Sequence, residues 1–135
     1  WNGWTDGGVD AARISWASNV RTGQYALRLQ GNTAESTVTK GVNVQLYSTI
    51  TVDFYFKPRR MTASTESFHL DVKKGDGMFL PLEEWKPQDM TNGRWNRGQV
   101  QFDVASTSNV IIRFRCVGDT NNDTVFLDDI TVIGE

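Results

Sequence analysis

The sequence has one cysteine, Cys116, and therefore no internal disulfide bond. Cys116 falls in the apolar phase of a predicted strand, so we expect a buried small side chain rather than a reactive thiol. The cysteine count leaves the cellular compartment open. With this cysteine and a single histidine, His69, the chain is poor in the ligands that a zinc hydrolase needs.

An excess of basic residues and long apolar runs are also missing. The 14 Lys and Arg residues are scattered singly and are balanced by 16 Asp and Glu residues. This composition argues against nucleic acid as a partner. No apolar run approaches the roughly 18 residues of a membrane helix, so we expect no membrane insertion. The 135 residues contain no linker, repeat or low-complexity run, and we place one domain over residues 1–135.

What the sequence does have is apolar residues at every second position. In Thr49–Lys57 and Asn109–Val117 alternate side chains are apolar, which is typical of strands with one buried face. Glycine-rich and polar turns separate these strands from the others, and no window has a capped helical stripe. The sequence predicts an all-β fold, an antiparallel two-sheet jelly-roll sandwich of about nine strands. The remaining predicted strands are Arg13–Trp16, Tyr25–Gln30 (Tyr25, Leu27 and Leu29 inward), Ser36–Thr39, Phe68–Lys73, Phe79–Trp85, Gly98–Val104 and Thr124–Ile133.

Four segments in order suggest a family. They are Trp4-Thr5-Asp6-Gly7-Gly8, the G-x-Y-x-L-x-L strand within Thr22–Leu29, the Thr51–Phe56 strand, and the tail Ile112–Cys116 followed by Val125–Ile130 with its Asp-Asp-Ile. This order resembles that of the jelly-roll carbohydrate-binding modules and the related MAM-like sandwich domains of secreted hydrolases and adhesive proteins. The Phe-Glu that usually opens the family is missing. The resemblance implies a module of a larger secreted, extracellular protein.

The last strand suggests a metal site. If Phe126, Ile130 and Val132 face the core, strict alternation turns Asp128 inward, and a buried carboxylate needs a cation, an arginine or N–H donors. In the resembled modules the matching aspartate binds a structural calcium together with main-chain oxygens of the loop before the G-x-Y strand. Here the resemblance assigns Asp128 and the loop Asn19–Gly23, including Gly23, with Asp6 or Asp10 adding charge. The alternative is a bulge between Asp128 and Asp129 that turns both outward, or a buried arginine pair.

The outward phases of the long strands provide a first candidate binding surface. Aromatic, carboxylate and guanidinium groups together suit a sugar, because planar rings cover its C–H faces and bidentate groups bind its paired hydroxyls. We expect the strands that carry them to share one sheet. The alternative is an inert sheet on which Asp53 or Asp71 forms salt bridges with Arg113 or Arg115. The candidate ligand-binding residues of this surface are Asp53, Tyr55, His69, Asp71, Arg113 and Arg115.

Tryptophans provide a second candidate. Trp85 and Trp95 flank the loop of residues 86–94, and exposed indoles often stack on sugars. The alternative for both is half-burial at a strand–loop junction. Trp1 and Trp4 begin the chain, and we expect Trp16, beside Ile14, to lie in the core.

We expect no catalysis. No G-x-S-x-G elbow presents a nucleophile, although Glu83, Glu84 and strand aspartates could converge as a glycosidase pair. The predicted function is a non-catalytic carbohydrate-binding module that anchors a secreted protein to a polysaccharide or cell-surface glycan. The alternatives are a MAM-like adhesion or protein-interaction domain, or matrix domain, without sugar binding, and a fragment of a polysaccharide-active enzyme.

Overall fold

A computed structural model describes residues 2–7, 10–31 and 36–135. These residues form ten strands and two short 3₁₀ turns, Ala17–Asn19 and Pro87–Asp89. No helix among them is long and apolar enough to cross a membrane. The strands are β1 (Thr5–Asp6), β2 (Ala11–Ile14), β3 (Ala26–Gln30), β4 (Ser36–Asn43), β5 (Thr49–Arg59), β6 (Ser67–Lys74), β7 (Phe79–Trp85), β8 (Asn96–Asp103), β9 (Asn109–Val117) and β10 (Thr124–Gly134).

The strands form two five-stranded antiparallel sheets. The front sheet has the order β1-β4-β9-β6-β7 and the back sheet the order β2-β3-β10-β5-β8. The two-sheet all-β prediction is confirmed. The bounds of β7 and β9 are as predicted. The two-residue strand β1 was not predicted, because so short a segment shows no alternation.

The core lies between the sheets and is built by the alternation seen in the sequence. Val52, Phe54 and Phe56 of β5 are buried and face the apolar residues of the front sheet. The Phe54 ring lies 4.7 Å from that of Phe114, edge to face. Burying one such side chain is worth about 2 kcal/mol. Cys116 is fully buried in the same core, as predicted, and desolvation raises the pKa of its thiol to about 12.

The inward–outward alternation of side chains is interrupted within β10. The register with β5 shifts between Asp128 and Thr131, and Asp129 has a φ of 50°, so a bulge interrupts the strand. Before the bulge Leu127 packs into the main core, whereas Phe126 packs into a separate small cluster with Ile14 and Ala26. The prediction that Phe126 shares the core phase of Ile130 and Val132 is therefore wrong. The predicted alternative, a bulge at this point, is confirmed.

Candidate functional site

The six residues predicted to share one surface lie on two different sheets. Asp53 and Tyr55 belong to β5 in the back sheet, whereas His69 and Asp71 belong to β6 in the front sheet. Arg113 and Arg115 belong to β9, beside β6. The prediction of a single surface is wrong, because β5 and β9, neighbours in neither sheet, lie on opposite sides of the core. Their outward residues therefore form two faces.

On the outer face of the front sheet, Asp71 is covered by the side chains around it. It points away from the core, yet its exposure is only 1%, and His69 beside it is exposed by 8%. The Oδ2 atom of Asp71 accepts hydrogen bonds from Arg113 Nε at 2.9 Å and Arg115 Nε at 3.0 Å, and Arg113 Nη2 lies 2.8 Å away. The cross-strand ion pairs predicted as the alternative are thus present at Asp71. We name this surface, centred on Asp71, Arg113 and Arg115, the front groove.

The second carboxylate oxygen of Asp71 is left without a partner. Oδ1 is buried and accepts no hydrogen bond from the residues that the structure describes. A buried acceptor without a donor costs about 1–3 kcal/mol. A donor supplied from outside, such as a hydroxyl group, would recover that free energy once a neighbouring side chain moves to admit it. The front groove therefore contains a carboxylate oxygen whose hydrogen-bonding capacity the described residues leave unused.

Polar side chains continue from Asp71 along the front groove. Ser67 Oγ and His69 Nε2 are hydrogen-bonded at 2.6 Å. Glu84 of β7 lies opposite His69, with Oε1 4.0 Å from Nε2, and also pairs with Lys86 Nζ at 3.1 Å. Hydroxyl, imidazole, carboxylate and ammonium groups thus lie side by side on one face. Together they can donate to and accept from a polyhydroxylated ligand.

An aromatic ring completes the front groove, and the sequence alone does not predict it. The guanidinium carbon of Arg113 lies 3.8 Å from the ring centroid of half-buried Phe79. Simple alternation along β7 would place Phe79 and Trp85 on the same face of the sheet. A bulge at Leu82 adds one residue to the strand, so Trp85 faces inward and Phe79 faces outward. A bulge cannot be located from the β7 sequence alone, which is why Phe79 was missed.

On the back sheet, the outer face carries a satisfied ion pair. Asp53 accepts from Arg97 Nε at 3.1 Å and Nη2 at 2.5 Å, and also from Gln99 Nε2 at 3.1 Å. The bonds and charge of Arg97 hold the pKa of the Asp53 carboxyl below its ordinary value. Asp53 thus pairs with Arg97 rather than with Arg113 or Arg115. Strand order decides this partner, because β8 rather than β9 lies beside β5, and strand order is not visible in one strand.

Tyr55, the other predicted residue of the back face, is covered by an arginine. The Arg21 guanidinium lies 3.6 Å from the Tyr55 ring centroid, and its Nη1 contacts Asp129 Oδ2 at 2.5 Å. The Thr22 hydroxyl donates to the other Asp129 oxygen. This cation–π contact covers the Tyr55 ring face that a sugar would need. We call these contacts between the Arg21–Thr22 loop and the β10 bulge the Arg21 staple.

The contacts of Asp128 do not fit a calcium site. Its Oδ2 accepts from the backbone N–H groups of Arg21 at 2.7 Å and Thr22 at 3.1 Å, and its Oδ1 accepts from Asp129 N–H at 2.7 Å. Calcium needs six to eight oxygen ligands, whereas this loop presents N–H donors, which suit an anion. The residues that the structure describes contain no convergent group of three His, Cys, Asp or Glu side chains. Calcium binding stays a prediction.

The other predicted metal ligands lie apart from one another. Gly23 follows Thr22 in the loop beside Asp128 and has a φ of 68°. Asp6 lies in the front sheet, opposite Val38. Asp10 accepts from the Gln30 N–H through its backbone carbonyl, at the end of β3 away from Asp128.

The two loop tryptophans are partly buried in apolar clusters. The Trp85 ring lies 5.3–5.8 Å from the centroids of Phe54, Phe56 and Phe68. Trp95 packs against the small cluster around Phe126. The half-burial predicted as their alternative is therefore present. Trp4 is buried, and Trp1 lies outside the described residues, as does Gly8 of the opening motif.

Two aromatic residues expected inside lie outside. Trp16 is 50% exposed and Tyr25 is 48% exposed, so the predicted core position of Trp16 and the inward phase of Tyr25 are wrong. Both residues belong to the connection between β2 and β3, residues 15–25, so strand alternation does not apply to them.

Solved structures that resemble this chain over nearly its full length contain carbohydrate-binding modules. TmCBM61 in complex with β-1,4-galactotriose has a TM-score of 0.70 at 15% identity, covering 98% of this chain and 87% of that chain. The CBM22-1 xylan-binding domain of Paenibacillus barcinonensis Xyn10C has a TM-score of 0.66 at 18% identity. The match covers 96% of this chain and 84% of that chain. The fold is that of carbohydrate-binding modules.

A further similar structure extends over more than one module. The CBM22-1–GH10 modules of Clostridium thermocellum endo-1,4-β-D-xylanase 10B, complexed with xylohexaose, have a TM-score of 0.71 at 14% identity, covering 99% of this chain and 26% of that chain. No family model matches the sequence, and no curated protein matches it. The family resemblance of the motifs is thus confirmed at the level of the fold.

Proposed function

We propose that this chain is a non-catalytic glycan-binding module of a secreted protein and that the front groove holds the glycan. The observation that carries the proposal is Asp71, a buried carboxylate held by two arginines through one oxygen and unsatisfied at the other. A sugar hydroxyl can donate to Oδ1, and an adjacent hydroxyl can accept from a guanidinium N–H. The fold shared with sugar-binding modules supports this assignment.

The groove also has the apolar surface that a sugar ring requires. Phe79 and the guanidinium plane of Arg113 form one stacked unit beside Asp71. Planar groups cover the C–H face of a sugar while the polar groups bind its hydroxyls. The contrasting back face offers little of this, because Tyr55 is covered by Arg21 and the Asp53 carboxylate is already bonded to Arg97 and Gln99.

The test is affinity electrophoresis and a glycan array on neutral and acidic polysaccharides. Asp71→Asn and Arg113→Met should abolish retention, while the matched variants Asp53→Asn and Arg97→Met on the back face should leave it unchanged. Each variant is first checked for folding by circular dichroism. Failure of the wild type to bind any polysaccharide contradicts the proposal, as does equal loss in both pairs of variants. Release of reducing sugar from any polymer contradicts the non-catalytic role.

A further inference from the structure

The outer face of the front sheet carries more positive than negative charge. The cross-strand register identifies its charged side chains, because directly paired residues lie on the same side of a sheet. Four cations stand against two carboxylates there, a net charge of +2 in a chain whose net charge is -2. The rest of the chain therefore carries a net negative charge, and this face is where an anion meets positive charge. The residues are the carboxylates Asp71 and Glu84 and the cations Lys73, Lys86, Arg113 and Arg115.

Lys73 is a cation of this face that has no carboxylate partner among the described residues. It lies in register between Phe79 of β7 and Ile111 of β9, and its ammonium group forms no ion pair or hydrogen bond with the part of the chain that the structure describes. Along β6 it follows Asp71 by two residues, a distance of about 7 Å. An ammonium group beside the Phe79 ring is therefore left for a ligand.

Arg113 also keeps hydrogen-bond donors that its partner does not use. Its Nε and Nη2 atoms lie 2.9 and 2.8 Å from Asp71 Oδ2, and the same oxygen accepts from Arg115 Nε. The Nη1 group of Arg113 donates to none of the described residues, and 24% of the side chain is exposed. One carboxylate shared by two guanidinium groups leaves a surplus positive charge. A guanidinium group with unused donors is well suited to carboxylate and other oxyanions.

From this charge distribution we infer that the front groove selects acidic glycans, whose carboxylate or sulfate groups bind Lys73 and Arg113 while a hydroxyl donates to Asp71 Oδ1. This inference rests on the proposed glycan-binding function and adds the class of glycan. The buried Oδ1 atom calls for a hydroxyl donor, whereas the two cations call for an anion. An acidic sugar has both groups. A neutral glycan would satisfy Oδ1 and leave the ammonium group of Lys73 without a counter-charge.

The experiment adds to the glycan array two pairs of polymers that share a backbone and differ in charge. One pair is polygalacturonate and its methyl ester, and the other is dextran sulfate and dextran. Affinity electrophoresis should show about tenfold tighter binding of the charged member, as expected for one charge-assisted hydrogen bond. The pair that responds distinguishes a carboxylate from a sulfate. Added salt should weaken only the charged interaction, because it screens exposed charges.

Variants of Lys73 separate the effect of charge from that of shape. Lys73→Met should weaken binding to the charged polymer about threefold and leave binding to neutral polysaccharides unchanged. Lys73→Arg keeps the charge and should retain the affinity. Lys57→Met makes the same substitution on the back sheet and serves as the matched control, with no expected effect. Circular dichroism excludes misfolded variants.

The outcomes separate this inference from the proposed function. Binding to neutral polysaccharides that equals or exceeds binding to every acidic one, and that Asp71→Asn abolishes, overturns the acidic selectivity and keeps the glycan-binding function. Equal losses in Lys73→Met and Lys57→Met also overturn the selectivity, because the effect would then follow from the net charge of the chain rather than from the front groove. A wild type that binds no glycan overturns both.

Discussion

The outer faces of the two sheets carry similar side chains in different surroundings. Each has an aspartate paired with arginine and an aromatic ring stacked against a guanidinium group. On the front sheet Asp71 is buried and one of its oxygens is unsatisfied. On the back sheet Asp53 is partly exposed and both of its oxygens accept hydrogen bonds.

The difference shows that burial, rather than composition, decides what an aspartate–arginine pair contributes. The exposed Asp53–Arg97 pair is surrounded by water, where the attraction is screened and side-chain entropy offsets much of it. Asp71 and its arginines lie where water is largely excluded, so each charge relies on the other for stabilisation. For the same reason, an acceptor left without a donor there lowers the stability of the fold. The front face is therefore the one with free energy to gain from a ligand.

The largest effect that tests this comparison is expected from Asp71→Ala. Removing the carboxylate leaves Arg113 and Arg115 side by side, partly buried and without their shared counter-ion. The free energy of unfolding should fall by about 3 kcal/mol. Asp53→Ala should change it by less than about 0.5 kcal/mol, because that pair is exposed. Urea denaturation followed by tryptophan fluorescence measures both.

A double variant sharpens this result. Replacing both Asp71 and Arg113 with apolar residues should recover part of the stability lost in Asp71→Ala, because the repulsion between the two arginines disappears. Equal losses for Asp71→Ala and Asp53→Ala would show that the two faces do not differ energetically.

A smaller effect is expected at the Arg21 staple, in which Arg21 pairs with Asp129 and covers the Tyr55 ring. Arg21→Met removes the charge that pairs with Asp129 and covers Tyr55, and it should lower the melting temperature by about 4 °C. The matched control is Arg94→Met, an exposed loop arginine, which should have no effect. Differential scanning fluorimetry measures both.

The same measurement tests the calcium prediction. Because N–H donors occupy the Asp128 oxygens, we expect the wild-type melting temperature to be the same with a chelator and with millimolar calcium. A rise of several degrees with calcium would show that a metal binds and that the Arg21 staple rearranges to admit it.

The sequence predicted the sandwich and most strands because alternation is a local signal. The bounds of β9 follow from Asn109–Val117 alone. Which outward residues meet depends on strand order and register, so the separation of Asp53 from Asp71 was invisible in the sequence. The bulges in β7 and β10 each shift the phase by one residue, which hid Phe79 and misplaced Phe126. The exposure of Trp16 and Tyr25 could not be predicted, because side chains in a connection between strands do not alternate with a fixed period.

A third carboxylate extends the comparison, since it lies beside another acid instead of an arginine. Glu66 and Asp123 are both buried. Glu66 Oε2 accepts from the Thr62 and Ala63 N–H groups at 2.6 and 2.9 Å. Burial raises the pKa of the Glu66 carboxyl, the two N–H bonds oppose that rise, and the neighbouring Asp123 adds to it.

A further effect, which should depend on pH, is expected from Glu66→Gln. Because the folded-state pKa is raised, the stabilising contribution is fully present below the unfolded pKa of about 4.3 and is lost as the pH rises through the folded value. Glutamine remains neutral, so the variant should become more stable than the wild type as the pH rises above the unfolded pKa. Urea midpoints at several pH values measure this, with exposed Glu83→Gln as the control. A difference that stays constant with pH would mean that Glu66 has the same pKa in both states.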